Sequence, residues 1–553
     1  MGEAISRCTL AAAALLLCSC LKDGDVNVVY ASCSVEVEVV EYVTWDGEDD
    51  NCVQLCTKLK FDKPGKPADD ATTTIPFYQV QVLMQDYAPD RTDHAIEVKG
   101  RLIMLDGKKV GLNLKNTLAS KASKFIEKNP EALQSVHIDL PALCSRSVRE
   151  VVQKIGARRM SVVLSERGFE EGDLSCMDRL GLEELYLKLP SASDEKLQQL
   201  AQLDELIGLD LSHTNVTDAG LDNLDGLDQL QLLILSSTAI SDAGIAHVAQ
   251  LTQLKELELT FTKVTDEGIA HLSGLRNLRK LTLEKTQVTD EGIAHLAGLT
   301  ELWILDLDWT NVTDVGISHL QGLDKLRELR LTSACVTDDG LESFTNLDNM
   351  QVLVLADTKV TGPGLAHFAG LCNLRVLDLS GAPLTDGGLE HLAPLTELLV
   401  LDLSRTKITD DGLESLAPLV NLIDLDVSST PITGSGLGHI SSLPKLRVLD
   451  LGGTQVTDES LSRLDGASLE HLGLGATSIT DAGLEHLTGF QSLEKLELSG
   501  TAISNLGLPY LLEIKSLHHL DLSATQVSDS GLKKLAKAFP HATVAPGPGA
   551  PVH

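Results

Sequence analysis

At 553 residues the chain has room for more than one domain. Its formal net charge of −34 argues against nucleic acid and anionic membrane surfaces, which both need basic patches, and favours solubility and basic or cationic partners. Aromatic residues are only 3% of the sequence, so any large core must be built from aliphatic side chains.

The first twenty residues carry Arg7 and then the apolar run Leu10–Leu17. That run is too short to span a bilayer and has the length of a signal-peptide core. Leu17-Cys18-Ser19-Cys20 resembles the lipobox of bacterial lipoproteins, with Cys18 and Glu3 as departures. The resemblance implies cleavage before Cys20 and lipidation of its thiol, hence an exported protein held in the cell envelope or periplasm. Met1-Gly2 with Ser6 also fits a myristoylation pattern, which keeps an unprocessed, cytoplasmic alternative open.

Residues 21–125 read as a small β-rich domain of no recognised family. Val35-Glu36-Val37-Glu38-Val39 alternates as a half-buried strand does, and Ile75–Met84 and Ala95–Leu105 are further strand candidates. Asp106-Gly107 is a hairpin turn signal. Cys33, Cys52 and Cys56 allow one disulfide in an exported protein, with the pairing open, and offer no fourth ligand for zinc. Helical residues around Leu118–Glu127 join this domain to residues 126–181, which read as a helical linker and degenerate capping repeats. In these, Val136-His137-Ile138 and Ser161-Val162-Val163 lie about 25 residues apart in phase with Leu187, with the helical Val148–Ile155 between them.

From residue 182 to 540 one pattern repeats. The nonapeptide VTDEGIAHL occurs at Val264–Leu272 and again at Val288–Leu296. With the position two residues before that Val as a marker, Thr recurs from Thr214 to Thr525 in steps of 24. Ala334 and Ala382 are substitutes, and one step is of 23, Thr454 to Thr477. This gives fourteen repeats, and Leu182–Leu187 with Pro190 on the marker makes a fifteenth. Within a repeat such as Leu206–Leu224, the Leu209-Asp210-Leu211 alternation predicts a short strand, and Thr217-Asp218 opens the helix of Leu221 and Leu224. No such repeat buries its apolar edge alone, so stacking is required, with parallel strands on one side and short helices on the other. Leu532–Phe539 reads as the last helix and His541–Val544 as a closing strand, followed within 541–553 by the Pro/Gly tail Pro546–Pro551.

These residues resemble the leucine-rich repeat family, closest to the 24-residue bacterial type in which Thr replaces the ladder Asn and an "ITD-x-GL" segment opens the helix. The resemblance implies an α/β solenoid that presents its strand face to a macromolecular partner. Gly362 and Gly434 in place of Asp, and Lys196 and Ser460 in place of Gly, predict local irregularities.

Two columns could carry chemistry. Eight histidines from His247 to His486 share one phase on the helices, where repeats splay apart, too far for neighbours to share a zinc. The Asp after the Thr, from Asp218 to Asp529, is read as a helix cap rather than a calcium ladder. No nucleophile elbow, metalloprotease helix, P-loop or dinucleotide fingerprint occurs, so no catalytic residue, metal or cofactor is assigned and the chain is read as non-catalytic.

The expected work is binding of a protein partner, possibly basic, by a monomer that meets the membrane only through its N-terminal lipid. The alternatives are an intracellular adaptor, since the repeats also resemble GALA-type F-box proteins and Leu140-Pro141 faintly echoes the F-box, and a purely structural envelope protein. Between the strand leucines, Asp306 and Arg330 are followed, after Val354, by Asp378, Asp402, Asp426 and Asp450, an outward, repulsive stripe that a cationic partner could relieve, the alternative being exposed charge screened by water and salt. Trp303 and Trp309 fall in one repeat around Ile304 and Asp306, and Phe261 shares the phase of Trp309. Phe261, Trp309 and Arg330 are the expected hot spot, its removal costing affinity and not stability.

Overall fold

The computed structural model describes residues 192–540, save 204, 465–466 and the side chain of 202, together with 187–189 and the strand Thr543–Ala545; further upstream it describes only the backbone of short strands. Expectations placed on Cys20, Cys33, Leu118–Glu127, Val136–Ile138, Val148–Ile155 and Pro546–Pro551 lie outside the described residues, as do the side chains of Cys52 and Cys56. The chain falls into two bodies, Met1–Lys263 and Val264–His553.

In the first body, Val37–Gly47, Asp50–Leu59 and Val80–Gln85 pair antiparallel. A second antiparallel trio, Ile96–Lys99, Leu102–Leu105 and Lys108–Val110, sets Leu105 opposite Lys108 on either side of Asp106-Gly107. Parallel pairing starts at Arg159–Val163, where Val162 faces Leu187, and runs through Glu184–Lys188, Leu206–Asp210 and Leu232–Ile234 to Glu256–Glu258. In the second body, twelve parallel strands run from Lys280–Thr282 to Thr543–Ala545. Successive strands stand in register at the 24-residue offset, Leu305 opposite Leu281 and Leu329 opposite Leu305. The short step keeps register too, with Leu449 opposite Leu472.

The register follows from what each leucine must do. In the repeat holding Lys280–Thr282, Leu281, Leu283, Val288, Ile293, Leu296, Leu299 and Leu302 are all fully buried. Burying each such side chain contributes about 1.5–3 kcal/mol. A slip of one residue would turn the strand leucines to solvent. The marker Thr closes the turn after the strand: Thr286 Oγ1 donates to the Leu283 carbonyl at 2.6 Å, and Thr310 and Thr406 do the same to Leu307 and Leu403. Their burial requires that bond. The residue before the marker is left-handed, with φ 54° at Lys285, 59° at Trp309 and 58° at Arg405.

The helix-opening Asp does something other than the expected capping of its own helix. Its carboxylate reaches forward one repeat: Asp290 Oδ1 accepts from the Thr313 amide at 2.7 Å, and its Oδ2 accepts from Thr313 Oγ1 at 2.6 Å. Asp266 holds Thr289 in the same way, and Asp314 holds Thr337. The Asp column is therefore a row of staples between repeats. It also explains the glycine two residues on, because a β-carbon at Gly292 would collide with Asp266 of the preceding repeat.

The irregular repeats show the same logic. Where Gly434 replaces the Asp, no carboxylate reaches the next helix, and Ser460 stands there in place of Gly. Its Oγ accepts from the Thr457 amide at 3.0 Å and donates to the Thr457 carbonyl at 2.8 Å, so the helix is capped from within. A β-carbon on Gly434 would strike Ser460. The chain ends with the helix Asp529–Ala538 and with Thr543–Ala545 paired to His519–Asp521. Among the described residues no helix is long and apolar enough to cross a membrane.

Candidate functional site on the sheet face

Strand alternation puts Leu305 in the core and leaves Ile304 and Asp306 half-buried on the outer face of the sheet. Asp306 faces Arg330 across the parallel pair, as expected. Arg330, however, does not stand free for a partner. Its Nη2 lies 3.0 Å and its Nε 3.1 Å from Asp308 Oδ2, with Asp306 at 3.8 Å and Glu328 at 3.9 Å. Only 22% of its side chain is exposed. Asp308 is fixed in turn, its Oδ1 accepting from the Thr332 amide at 2.5 Å. Burial works against the Arg330 charge, yet Asp308, Asp306 and Glu328 together hold its pKa above the usual value. Burial, then the charge of Asp308, pushes Asp306 up to about 7. Burial also raises Glu328. Arg330 is thus the counter-ion of a carboxylate cluster, which corrects its expected place in an exposed hot spot.

Trp303, expected among the partner-binding residues, stands at the entrance of the strand. It lies there half-buried between two guanidiniums, Arg279 at 4.9 Å and Arg327 at 4.5 Å from its ring centroid. The backbone holds the three together, since the Trp303 amide donates to the Arg279 carbonyl at 2.7 Å and the Arg327 amide donates to the Trp303 carbonyl at 2.8 Å. Both faces of this indole are occupied by cations.

Trp309 differs. It sits in the turn beyond the strand rather than on its outward end, left-handed at φ 59° and 52% exposed. Lys285 Nζ stands 5.5 Å from its ring centroid. A bulky side chain in this conformation costs about 1–2 kcal/mol that a glycine avoids. Phe261, in the first body, has the same turn position, with φ 58° and 53% exposure.

Farther along, Asp378, Asp402, Asp426 and Asp450 stand opposite one another on four successive strands. They are half-buried rather than open to water and salt. One oxygen of each is used locally, accepting from the amide two residues on: Ser380, Ser404 and Ser428 at 2.8 Å and Gly452 at 2.7 Å. Burial pushes Asp378 and Asp450 above the usual carboxylate range. Asp402 rises well above it, through burial and then the charges of Asp378 and Asp426. Asp426 reaches about 7, through burial and Asp450.

Sequence reasoning missed Asp424, which joins this face and is pushed to about 6 by burial. Its signal was an acid interrupting the column Val352, Val376, Val400 and Val448. It also missed the pair Arg405 Nη1–Asp357 Oδ1, 3.1 Å apart and spanning two repeats over Gly381, where a β-carbon would block the way. On the helix side, the ligand-like grouping among the described residues is the exposed Asp222 and Asp225 with the half-buried His247, whose Nδ1 lies 3.1 Å from Asp222 Oδ1.

The geometry, parallel strands stacked every 24 residues on a leucine core, matches what comparison finds. The family description "Leucine-rich repeat region" covers residues 185–420, and "Leucine Rich repeat" covers 442–464 and 514–536. The chain belongs to the leucine-rich repeat family.

Among solved leucine-rich repeat structures, a protein of Leptospira interrogans shares 19% identity with a TM-score of 0.50, over 76% of this chain and 97% of its own. That likeness is one of fold. An internalin of Listeria monocytogenes shares 27% identity with a TM-score of 0.46, over 54% of this chain and 83% of its own. A plant peptide hormone receptor, solved in complex with RGF2, shares 17% identity with a TM-score of 0.42, over 75% of this chain and 73% of its own. No curated protein matches the chain. Leucine-rich repeat scaffolds are typically non-catalytic and bind proteins.

Proposed function

We propose that this chain is a non-catalytic scaffold that takes a protein partner on the sheet face of its second body, with Trp309 as the anchor and the stripe Asp378, Asp402, Asp426 and Asp450 selecting basic character. Trp309 carries the reading. Where neighbouring repeats place Lys285, Ser333 and Asp357, this one exposes an indole in a conformation that disfavours it. Exposed tryptophan is enriched in binding hot spots. Ile304, half-buried at the start of the same repeat's strand, is a further apolar residue of this face.

The test is binding of an oligolysine peptide to the full chain. Replacing Asp378, Asp402, Asp426 and Asp450 with Asn should weaken binding and flatten its salt dependence, and Trp309→Ala should cost about 2 kcal/mol of affinity. Affinities equal to wild type in both variants would remove the site from this face.

Export and lipidation at Cys20 belong to the same proposal, supported by the apolar run Leu10–Leu17 and the lipobox-like Leu17–Cys20. Mass spectrometry of the mature N-terminus should find a lipidated Cys20, and an intact Met1 would put the scaffold inside the cell.

A further inference from the structure

A parallel sheet brings residues of the same repeat phase side by side, and here it brings four identical acids together. Asp378 faces Asp402, Asp402 faces Asp426 and Asp426 faces Asp450. Strands lie about 4.8 Å apart, so each inner carboxyl has a like group on both sides. Each accepts a bond from the amide two residues on, so none can swing away without breaking it.

No Lys, Arg or His nitrogen lies within 4.0 Å of these four carboxylates among the described residues. The charged groups that face them stand farther off. Arg330, two repeats before, and Arg405, in the repeat that follows, act on Asp378, although both are already paired, with Asp308 and Asp357. The preceding strand, Val352–Val354, brings no ionisable group. At the other end His471, Lys495 and Glu497 face Asp450, and Lys495 lies 2.6 Å from Glu497. Asp424 adds a further acid beside Asp426.

Like carboxylates held at this spacing and removed from water cannot all ionise, and the usual resolution is a shared proton. We propose that the Asp378–Asp402–Asp426–Asp450 ladder is a proton-sensitive element of the fold: it holds protons between neighbouring carboxyls at neutral pH, and losing them charges the face and loosens the stacking of these four repeats. The raised values of Asp402 and of Asp426, the latter about 7, agree with this.

The direction is set by linkage. The folded chain keeps protons that the unfolded chain releases near pH 4, so the ladder's contribution is full below about pH 4 and is lost as pH rises through about 7.

The experiment compares the full wild-type chain with the variant carrying Asn at all four ladder positions, by denaturant unfolding between about pH 5 and pH 7.5. The wild-type unfolding constant should rise with pH by at least about tenfold more than that of the variant, the effect of one retained proton over one pH unit. Equal pH dependence in the two chains would overturn the proposal. If the variant does not fold, infrared titration of the wild type decides. The absorption of protonated carboxyl groups should persist at about pH 6 and weaken in Asp402→Asn. Its absence from the folded wild type at that pH, or an unchanged band in Asp402→Asn, would overturn the proposal as well.

Discussion

Trp309 and Arg330 show why a residue's column in the sequence does not settle its role. Both looked like exposed members of one hot spot, and the structure separates them. Trp309 is half exposed and left-handed, so its replacement should divide stability from binding. Trp309→Gly relieves about 1–2 kcal/mol of backbone strain and loses about 0.5–1 kcal/mol to chain entropy. Chemical denaturation should therefore show stability unchanged or raised by up to about 1.5 kcal/mol. A clear loss would mean that the indole is a packing residue. Arg330 should behave in the opposite way. Removing it leaves Asp308 buried beside Asp306 and Glu328 without their cation, and breaking such a pair costs about 3 kcal/mol. Arg330→Ala should lower the unfolding midpoint accordingly, contrary to the sequence expectation of unchanged stability, and a midpoint equal to wild type would show the network to be idle.

At the scale of the repeat, the sequence was legible where a residue serves its own coil and illegible where it serves the next. Leucines at fixed spacing predict strand, helix and period because each buries itself within one turn of the stack. The Asp after Thr carries the same local signature whether it caps its own helix or staples the following one. Only the fold shows that its carboxylate reaches a residue 23 positions on, as Asp290 reaches Thr313. The glycine of the motif has the same origin, a close approach from another repeat. This account makes the exception at Gly434 and Ser460 a coupled pair. G434D should destabilise, because the new side chain meets Ser460, and S460G should destabilise, because the internal cap is lost. The double variant removes the clash with Ser460 and leaves only the strain of Asp at the left-handed φ of 94°, so its cost should fall short of the sum by about 1 kcal/mol. Additive effects in a double-mutant cycle would contradict the staple.

At the scale of the molecule, the leucine-rich repeat fold could be read from periodicity, whereas the electrostatics of the face could not. Counting residues gives −34, but the strand acids sit where neighbouring side chains exclude water, and burial pushes Asp306 and Asp426 up to about 7. The sheet face therefore carries less charge at neutral pH than its composition suggests, and a basic partner would have to displace protons as well as water. The central claim is that a protein docks on the sheet face at Trp309. Its most direct test places a photo-crosslinking amino acid at position 309 of the full chain in its native cell, and at the equally exposed Val315 on the helix side as the control. The account predicts one discrete protein adduct from position 309, suppressed by excess oligolysine and missing from position 315. Adducts that are the same from both positions, or absent from 309, would contradict it.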